Sequence, residues 1–326
     1  MIERIHAVVQ AISDQVSKVV VGQQETLDVL LMALLARGHV LLEGVPGTGK
    51  TLLAKSLATS VQCQFRRVQM TPDLMPSDVI GTSIFDQRTG NFGILKGPVF
   101  TNILLADEVN RATPKTQSAL LEAMAERAVT IDGTTHLLPR PFLVLATQNP
   151  IELAGTFPLP EAQLDRFLLK LSIGYPDLDA ETEILLANGK APAIDSLEPV
   201  TDGEEVRELI AWASDVTVSP AVYRFIIELC RATRDEPAFQ LGASPRASLA
   251  LLWASRVMAA ASGREDVYPD DVKALLLPVM AHRLVLTAEA TLRGETVENL
   301  LQRVVSRVNA PLTDRSGGKT LVGAAG

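Results

Sequence analysis

The sequence predicts an α/β protein: a parallel five-stranded sheet with helices on both faces and two β-hairpin inserts, followed by an all-α domain. Three observations carry this expectation. Five apolar runs of strand length occur at 39–43, 65–70, 102–106, 142–146 and 168–173, as buried parallel strands require. Helical patterns such as 50–58 and 113–127 alternate with several of them. After Tyr175, Pro176 and Asp177, a turn and helix cap, every clear segment to about Val308 has helical spacing.

Taken in order, the chain opens on an amphipathic helix over 2–18, with Ile5, Val8, Val9, Ile12 and Val16 at helical spacing. A second helix, 24–37, stops at Gly38. The run 39–43 leads directly into a Gly/Pro/Thr loop and a helix from Lys50, a strand–loop–helix unit. The inserts are hairpins at 83–95 and 129–138, each with a turn signal at its centre: Arg88, Thr89, Gly90 and Asn91 in the first, Asp132 and Gly133 in the second. The expected organisation is an α/β core at 1–174, a helical domain at 175–312 and a flexible tail at 313–326, rich in Gly, Ser and small residues.

Composition narrows the function. The 326 residues are 47% apolar and 21% charged, which favours two packed cores over disorder. The net charge is −8, and the second half holds nearly all the excess: 15 Lys+Arg against 16 Asp+Glu up to Gly174, then 15 against 22. Neither half has the basic surplus that phosphate-backbone binders carry, so nucleic acid is not expected as a partner, although averaging over halves does not exclude a local patch. Cys63 and Cys230 are distant in sequence, and His6, His39, His136 and His282 are scattered, so neither a disulfide framework nor a His/Cys metal site is expected. No secretion signal or membrane-spanning stretch is expected, and the expected location is the cytoplasm.

The chemistry concentrates in short polar motifs at the ends of apolar runs. Gly44, Val45, Pro46, Gly47, Thr48, Gly49, Lys50 and Thr51 fit G-x-x-x-x-G-K-[ST]. Glycines there let backbone N–H groups surround phosphates at a helix N-terminus, Lys50 reaches the β- and γ-phosphates, and the Thr51 hydroxyl is placed for Mg²⁺. The run 102–106 ends in Asp107 and Glu108, a Walker-B arrangement in which Asp107 holds Mg²⁺ and Glu108 polarises the attacking water. Asn149, at the end of 142–146 and its polar extension, is either a γ-phosphate sensor or a turn-forming Asn before Pro150. Arg166 precedes the last apolar run and by itself reads as a surface ion-pair residue. Arg246 follows a Ser244 N-cap and Pro245 at the first helical position, where a cation opposes the helix dipole; it serves a phosphate or sits exposed on the helical domain.

Together these motifs resemble the AAA+ ATPases, and within them the MoxR family. The likeness rests on Val21-Gly22-Gln23, the Gly44–Thr51 loop, Leu104–Glu108 with Val109-Asn110-Arg111-Ala112, Ala146–Pro150 and Leu164-Asp165-Arg166-Phe167, and it extends over about 2–310. The two hairpins fall where the clade of MoxR proteins, magnesium chelatase motors and MCM helicases carries them. The resemblance implies ATP and Mg²⁺ as cofactors, Val21 and Gly22 at the adenine, Asn149 as sensor 1, Arg166 as an arginine finger offered to a neighbour and Arg246 as sensor 2, in cis or in trans. It implies a homo-oligomer, a hexameric ring, that remodels or activates a client or adaptor protein, with metal-cofactor insertion and a von Willebrand A-domain partner among the family's associations. The alternatives are a DNA-translocating MCM-like motor and a metal-chelatase motor subunit. Against the DNA motor, the hairpin tips carry Asp86 and Asp132 beside a single Arg88.

Overall fold

A computed structural model describes residues 1–45, 47–87, 90–149, 155–187 and 194–311. Helices α1 (Ile2–Ser17) and α2 (Gln24–Leu35) precede strand β1 (Val40–Gly44). Then come α3 (Lys50–Ser60), β2 (Phe65–Gln69), α4 (Pro76–Ile80) and a hairpin of β3 (Gly81–Asp86) with β4 (Asn91–Lys96). The chain continues through β5 (Ile103–Asp107), α5 (Pro114–Glu126), a second hairpin of β6 (Ala128–Ile131) with β7 (Thr134–Leu137), and β8 (Leu143–Gln148). The short helix α6 (Glu161–Leu164) leads into β9 (Leu169–Ile173). Both hairpins appear where the turn signals put them; Arg88 and Thr89 at the first tip lie outside the described residues.

The five core strands form one parallel sheet in the order β2-β5-β8-β1-β9. Alternation across the pleat sorts their side chains. Leu42, Ile103, Leu105, Leu143 and Leu145 face one apolar core with α1, α2 and α3; Leu41, Leu104, Ala106, Val144 and Ala146 face another with α5 and the second hairpin. Both faces are thus covered, which is why β1, β5 and β8 read as continuously apolar, whereas the edge strands β2 and β9 carry polar residues between their apolar ones.

Beyond β9 lie α7 (Leu178–Ala187), α8 (Gly203–Ser214), α9 (Pro220–Asp235), β10 (Phe239–Leu241) and α10 (Pro245–Ala261). They are followed by α11 (Pro269–Ala274), α12 (Leu276–Met280), β11 (Val285–Leu286), α13 (Ala288–Leu292) and α14 (Val297–Arg307). Asp202, Ser219, Ser244, Thr287 and Thr296 each cap a helix by accepting backbone N–H groups, worth about 1 kcal/mol apiece. The expectation of an all-α segment needs one correction. β10 and β11 pair as an antiparallel ribbon, and strands of three and two residues are too short to display a period of two. This helical part shares its core with the sheet: α1 packs on α10 and α8 as well as on α3. The expected tail at 313–326 lies outside the described residues, and among those described no helix is long and apolar enough to cross a membrane.

His39, just before β1, ties these layers together. Its ring is buried; Nδ1 accepts from the Val144 N–H at 3.0 Å, so Nε2 carries the hydrogen and donates to the Met124 carbonyl at 3.0 Å. Burial, ahead of the nearby Arg127 charge, lowers its pKa to about 4 from 6.5. An imidazole depressed in the folded state contributes fully above pH 6.5, and that contribution falls as the pH drops from 6.5 toward about 4. His39→Gln is therefore expected to shrink the loss of unfolding free energy between pH 7 and pH 5 by about 2 kcal/mol. Urea denaturation at the two pH values measures it; an unchanged difference would exclude His39 as a source of acid sensitivity.

Candidate functional site

The strand order brings the carboxyl ends of β1, β8 and β5 side by side, and a cavity of about 230 Å³ opens there. Gly44, Gly47, Thr48, Gly49, Lys50 and Thr51 line one wall; Asp107, Glu108, Thr147 and Asn149 line another, with Arg67 and Gln69 from β2. Of the loop, Pro46 lies outside the described residues, as does Pro150 after Asn149.

The loop from β1 turns into α3 through Gly49, whose φ of +78° is left-handed and strained for any residue with a side chain. Lys50 opens α3, and its ammonium donates to the carbonyls of Gly44 (3.1 Å) and Val45 (2.7 Å) and to Thr48 Oγ1 (3.2 Å). Burial pushes the Lys50 pKa down, against the opposing pull of Asp107 and Glu108. The Val21-Gly22-Gln23 turn between α1 and α2 reaches the same loop, since the Gln23 amide donates to the Thr48 carbonyl. Gly22 is left-handed (φ +71°), and a Cβ there would stand 2.7 Å from Ala180 Cβ, so this turn is wedged between the loop and α7.

Each carboxylate has its own partners. Asp107 accepts from Arg67 (Nη2 2.6 Å, Nε 3.2 Å) on one oxygen and from the Thr147 hydroxyl (2.5 Å) on the other. That hydroxyl in turn accepts from the Glu108 N–H at 2.8 Å. Glu108 adopts φ 56°, ψ 53°, a left-handed conformation costing about 1–3 kcal/mol in a non-glycine residue, and its carboxylate accepts from Gln69 (2.8 Å) and Arg111 (3.4 Å). The site thus pairs two cations with two carboxylates around open space. Its oxygen donors, the Asp107 carboxylate and Thr51 hydroxyl, suit a hard divalent cation that arrives with phosphates, because Mg²⁺ needs few protein ligands.

Four residues singled out in the sequence do not line this cavity: Val21 and Gly22, on the turn beside the loop, and the more distant Arg166 and Arg246. Arg166 precedes β9 at its amino end, whereas the phosphate loop leaves the carboxyl end of the neighbouring β1, where Gly44 pairs with Ile173. The five strand residues between them span about 16 Å. Arg166 instead donates to the Leu121 carbonyl at 2.9 Å, and its Nε is buried with no partner among the described residues. Arg246 is exposed in the first turn of α10, beyond the Ser244 cap. Ser244 donates to Asp165 (2.9 Å), the neighbour of Arg166, and the buried Arg283 pairs with the same carboxylate at 2.8 Å. Both arginines therefore flank one junction between the sheet and the lid helices.

Arg67, Gln69 and Thr147 escape a reading of the sequence. The first two alternate along an edge strand, and the third is one Thr among several; the register of Gln69 beside Asp107 is what gives them their roles.

Comparison with known proteins agrees with this geometry. Residues 39–169 match the ATPase family associated with various cellular activities (AAA), and residues 231–304 match the AAA lid domain. The chain is 43% identical to Chaperone MoxR1 of Mycobacterium tuberculosis over 316 residues, covering 94% of this chain and 83% of the relative. It is 45% identical to YeaC of Bacillus subtilis, covering 95% of this chain and 97% of the relative, and 34% identical to MoxR of Paracoccus denitrificans, covering 86% and 89%. A crystal structure from Cytophaga hutchinsonii, described as a candidate ATPase, superposes with a TM-score of 0.89 at 41% identity over 95% of this chain and 97% of that one.

Thr147→Val keeps the shape of the side chain and removes both bonds of the hydroxyl, leaving the Glu108 N–H unpaired. The expected loss is about 1–3 kcal/mol of unfolding free energy, read by urea denaturation without nucleotide. Wild-type stability would show that the hydroxyl does not hold β5 to β8.

Proposed function

The chain belongs to the MoxR family of AAA+ ATPases, and from that premise we propose that it is a Mg²⁺-dependent ATP hydrolase working as a ring-forming, chaperone-like motor that remodels or activates partner proteins. The observation that carries the reading is the convergence of Lys50, Thr51, Asp107, Glu108 and Asn149 on one cavity at adjacent strand ends.

In this reading the loop N–H groups and Lys50 bind the phosphates, and Val21 and Gly22 line the adenine pocket. Thr51 and Asp107 hold Mg²⁺, which neutralises charge on the phosphates. Glu108 orients and deprotonates the attacking water once its bond to Gln69 is released, and Asn149 senses the γ-phosphate. The distance of Arg166 from the loop of its own chain supports its action on a neighbour's nucleotide. Arg246, two residues beyond the Ser244 that holds Asp165, serves as sensor 2, in cis or in trans. A ring follows from a site completed by a second copy, and the resemblance to the family makes it a hexamer.

A polypeptide client is favoured by the first hairpin, where Ile84, Phe85, Phe92 and Leu95 are exposed and the two Phe rings lie 5.2 Å apart. Such a ribbon suits apolar protein segments and lacks the basic character of a DNA-gripping hairpin. Metal-cofactor insertion and a von Willebrand A-domain adaptor are associations that the family suggests for the client side.

Two experiments test the reading. Glu108→Gln should bind ATP, shift from a small native mass to a closed oligomer on adding Mg-ATP, and turn over about 10²–10⁴-fold more slowly. A monomer in both states would remove the ring, and wild-type turnover would remove Glu108 as the base. Arg166→Ala should lose about 10³–10⁵ in rate and recover part of it when mixed with Lys50→Ala subunits. Failure to recover at any ratio would argue against action in trans.

A further inference from the structure

At the opposite, amino-terminal end of the sheet, five arginines from different elements converge on one cleft. Two lobes of about 190 and 210 Å³ share Arg37, Arg127 and Ser214; Arg256 lines the first lobe, and Arg140 and Arg207 line the second. Among the described residues no carboxylate lines either lobe. In a chain with a net charge of −8 this concentration is not a by-product of general basicity. We propose that this cleft is a binding site for a small multivalent phosphate anion, an oligophosphate free or carried on a nucleotide, distinct from the phosphate loop.

The arginines are not accounted for by internal pairing. Arg207 reaches Glu204 at 3.4 Å on the exposed surface, and Arg127 donates to the Arg37 carbonyl at 2.6 Å. Arg37 and Arg127 follow the C-termini of α2 and α5, where a helix dipole favours a cation. Arg256 donates to the Tyr223 hydroxyl at 3.2 Å on the exposed side, Arg207 has only its exposed contact with Glu204, and Arg140 sits at no helix end. Arg256 Nε is buried without a partner among the described residues. Burial and then the charges of Arg37 and Arg140 push the Arg127 pKa down, so the guanidiniums repel one another in a partly desolvated place. An ion of several negative charges relieves that repulsion where a single carboxylate relieves little, and guanidinium forks match phosphate oxygens in pairs. Each lobe is comparable to the cavity of about 230 Å³ at the phosphate loop.

The placement suggests a consequence. Arg127 precedes β6 and Arg140 follows β7, so they clasp the base of the second hairpin, while Arg207 lies on α8 and Arg256 on α10. A bound oligophosphate would clamp the lid helices to the hairpin.

The inference does not rest on the ATPase reading, and calorimetry with inorganic tripolyphosphate separates the two. Lys50→Ala, which disables the phosphate loop, is expected to retain one saturable tripolyphosphate site per chain. Adding Arg140→Gln and Arg207→Gln, which spares the Arg127 bond to the Arg37 carbonyl, should weaken it about tenfold or more, with the thermal midpoint as a check on folding. Absence of a saturable site in Lys50→Ala, or unchanged affinity in the triple variant, would overturn the proposal. Two sites per chain in Lys50→Ala, one of them lost with the arginines, would support the cleft while counting against Lys50 as the phosphate ligand. If a single-stranded DNA oligonucleotide bound more tightly than tripolyphosphate and was lost with the same arginines, the cleft would be a nucleic-acid contact and the small-anion assignment would fall.

Discussion

The functional geometry depends on β8 lying between β1 and β5. The successive core strands β2, β5 and β8 lie side by side, whereas β1 pairs with β8 and β9 and not with β2; because all five are parallel, every connection crosses a face and the carboxyl ends open along one edge. Adjacent strands stand about 4.8 Å apart, which sets the loop after β1, the polar end of β8 and the Asp107–Glu108 pair within one cavity. The apolar alternation through Leu104, Leu105 and Ala106 maintains this order, because a slip of one residue would turn each of them to the opposite core.

Within the cavity, charge is balanced before any ligand arrives. Asp107 leans on Arg67 and Thr147, Glu108 on Gln69 and Arg111, and Lys50 on its own loop. Under the proposed reading nucleotide binding would be an exchange of partners, not the burial of bare charges: phosphates would compete for Lys50 with loop carbonyls, and a divalent cation would compete with Arg67 for Asp107. The left-handed backbone at Glu108 is held by the Thr147 hydroxyl, so a side chain on one strand keeps the strained residue of another in position.

What the sequence made legible was local. The phosphate loop is contiguous, the carboxylates end an apolar run, and the Ser244–Pro245 cap announces α10; each signal needs only a few neighbouring residues. What remained hidden was the partner of each charge. Arg67 meets Asp107 40 residues away, and Arg283 meets Asp165 118 residues away, contacts that only the sheet register and lid packing create. The arginine cleft was hidden by averaging: counted over halves the chain is neutral or acidic, yet five guanidiniums from separate elements meet at one end of the sheet.

The Asp165 junction bears on how movement is transmitted. Arg283 is 5% exposed and donates to the Asp165 carboxylate and to the carbonyls of Phe167 (2.5 Å) and Leu168 (3.2 Å), while Ser244 holds the same carboxylate from α10. Separating a buried pair of this kind costs about 3–5 kcal/mol, comparable to a large part of a domain's stability. The amino end of β9, the start of α10 at Ser244 and the turn after α12 that carries Arg283 are therefore tied together as one piece. Bending between lid and sheet has to occur elsewhere, and the Val21–Gln23 turn, pressed between the phosphate loop and α7, is where the nucleotide would feel it. Under the proposed reading Arg166 and Arg246 ride together on the rigid side of that joint, so a change at one chain's phosphate loop would shift both, Arg166 toward the next chain's nucleotide and Arg246 in cis or in trans.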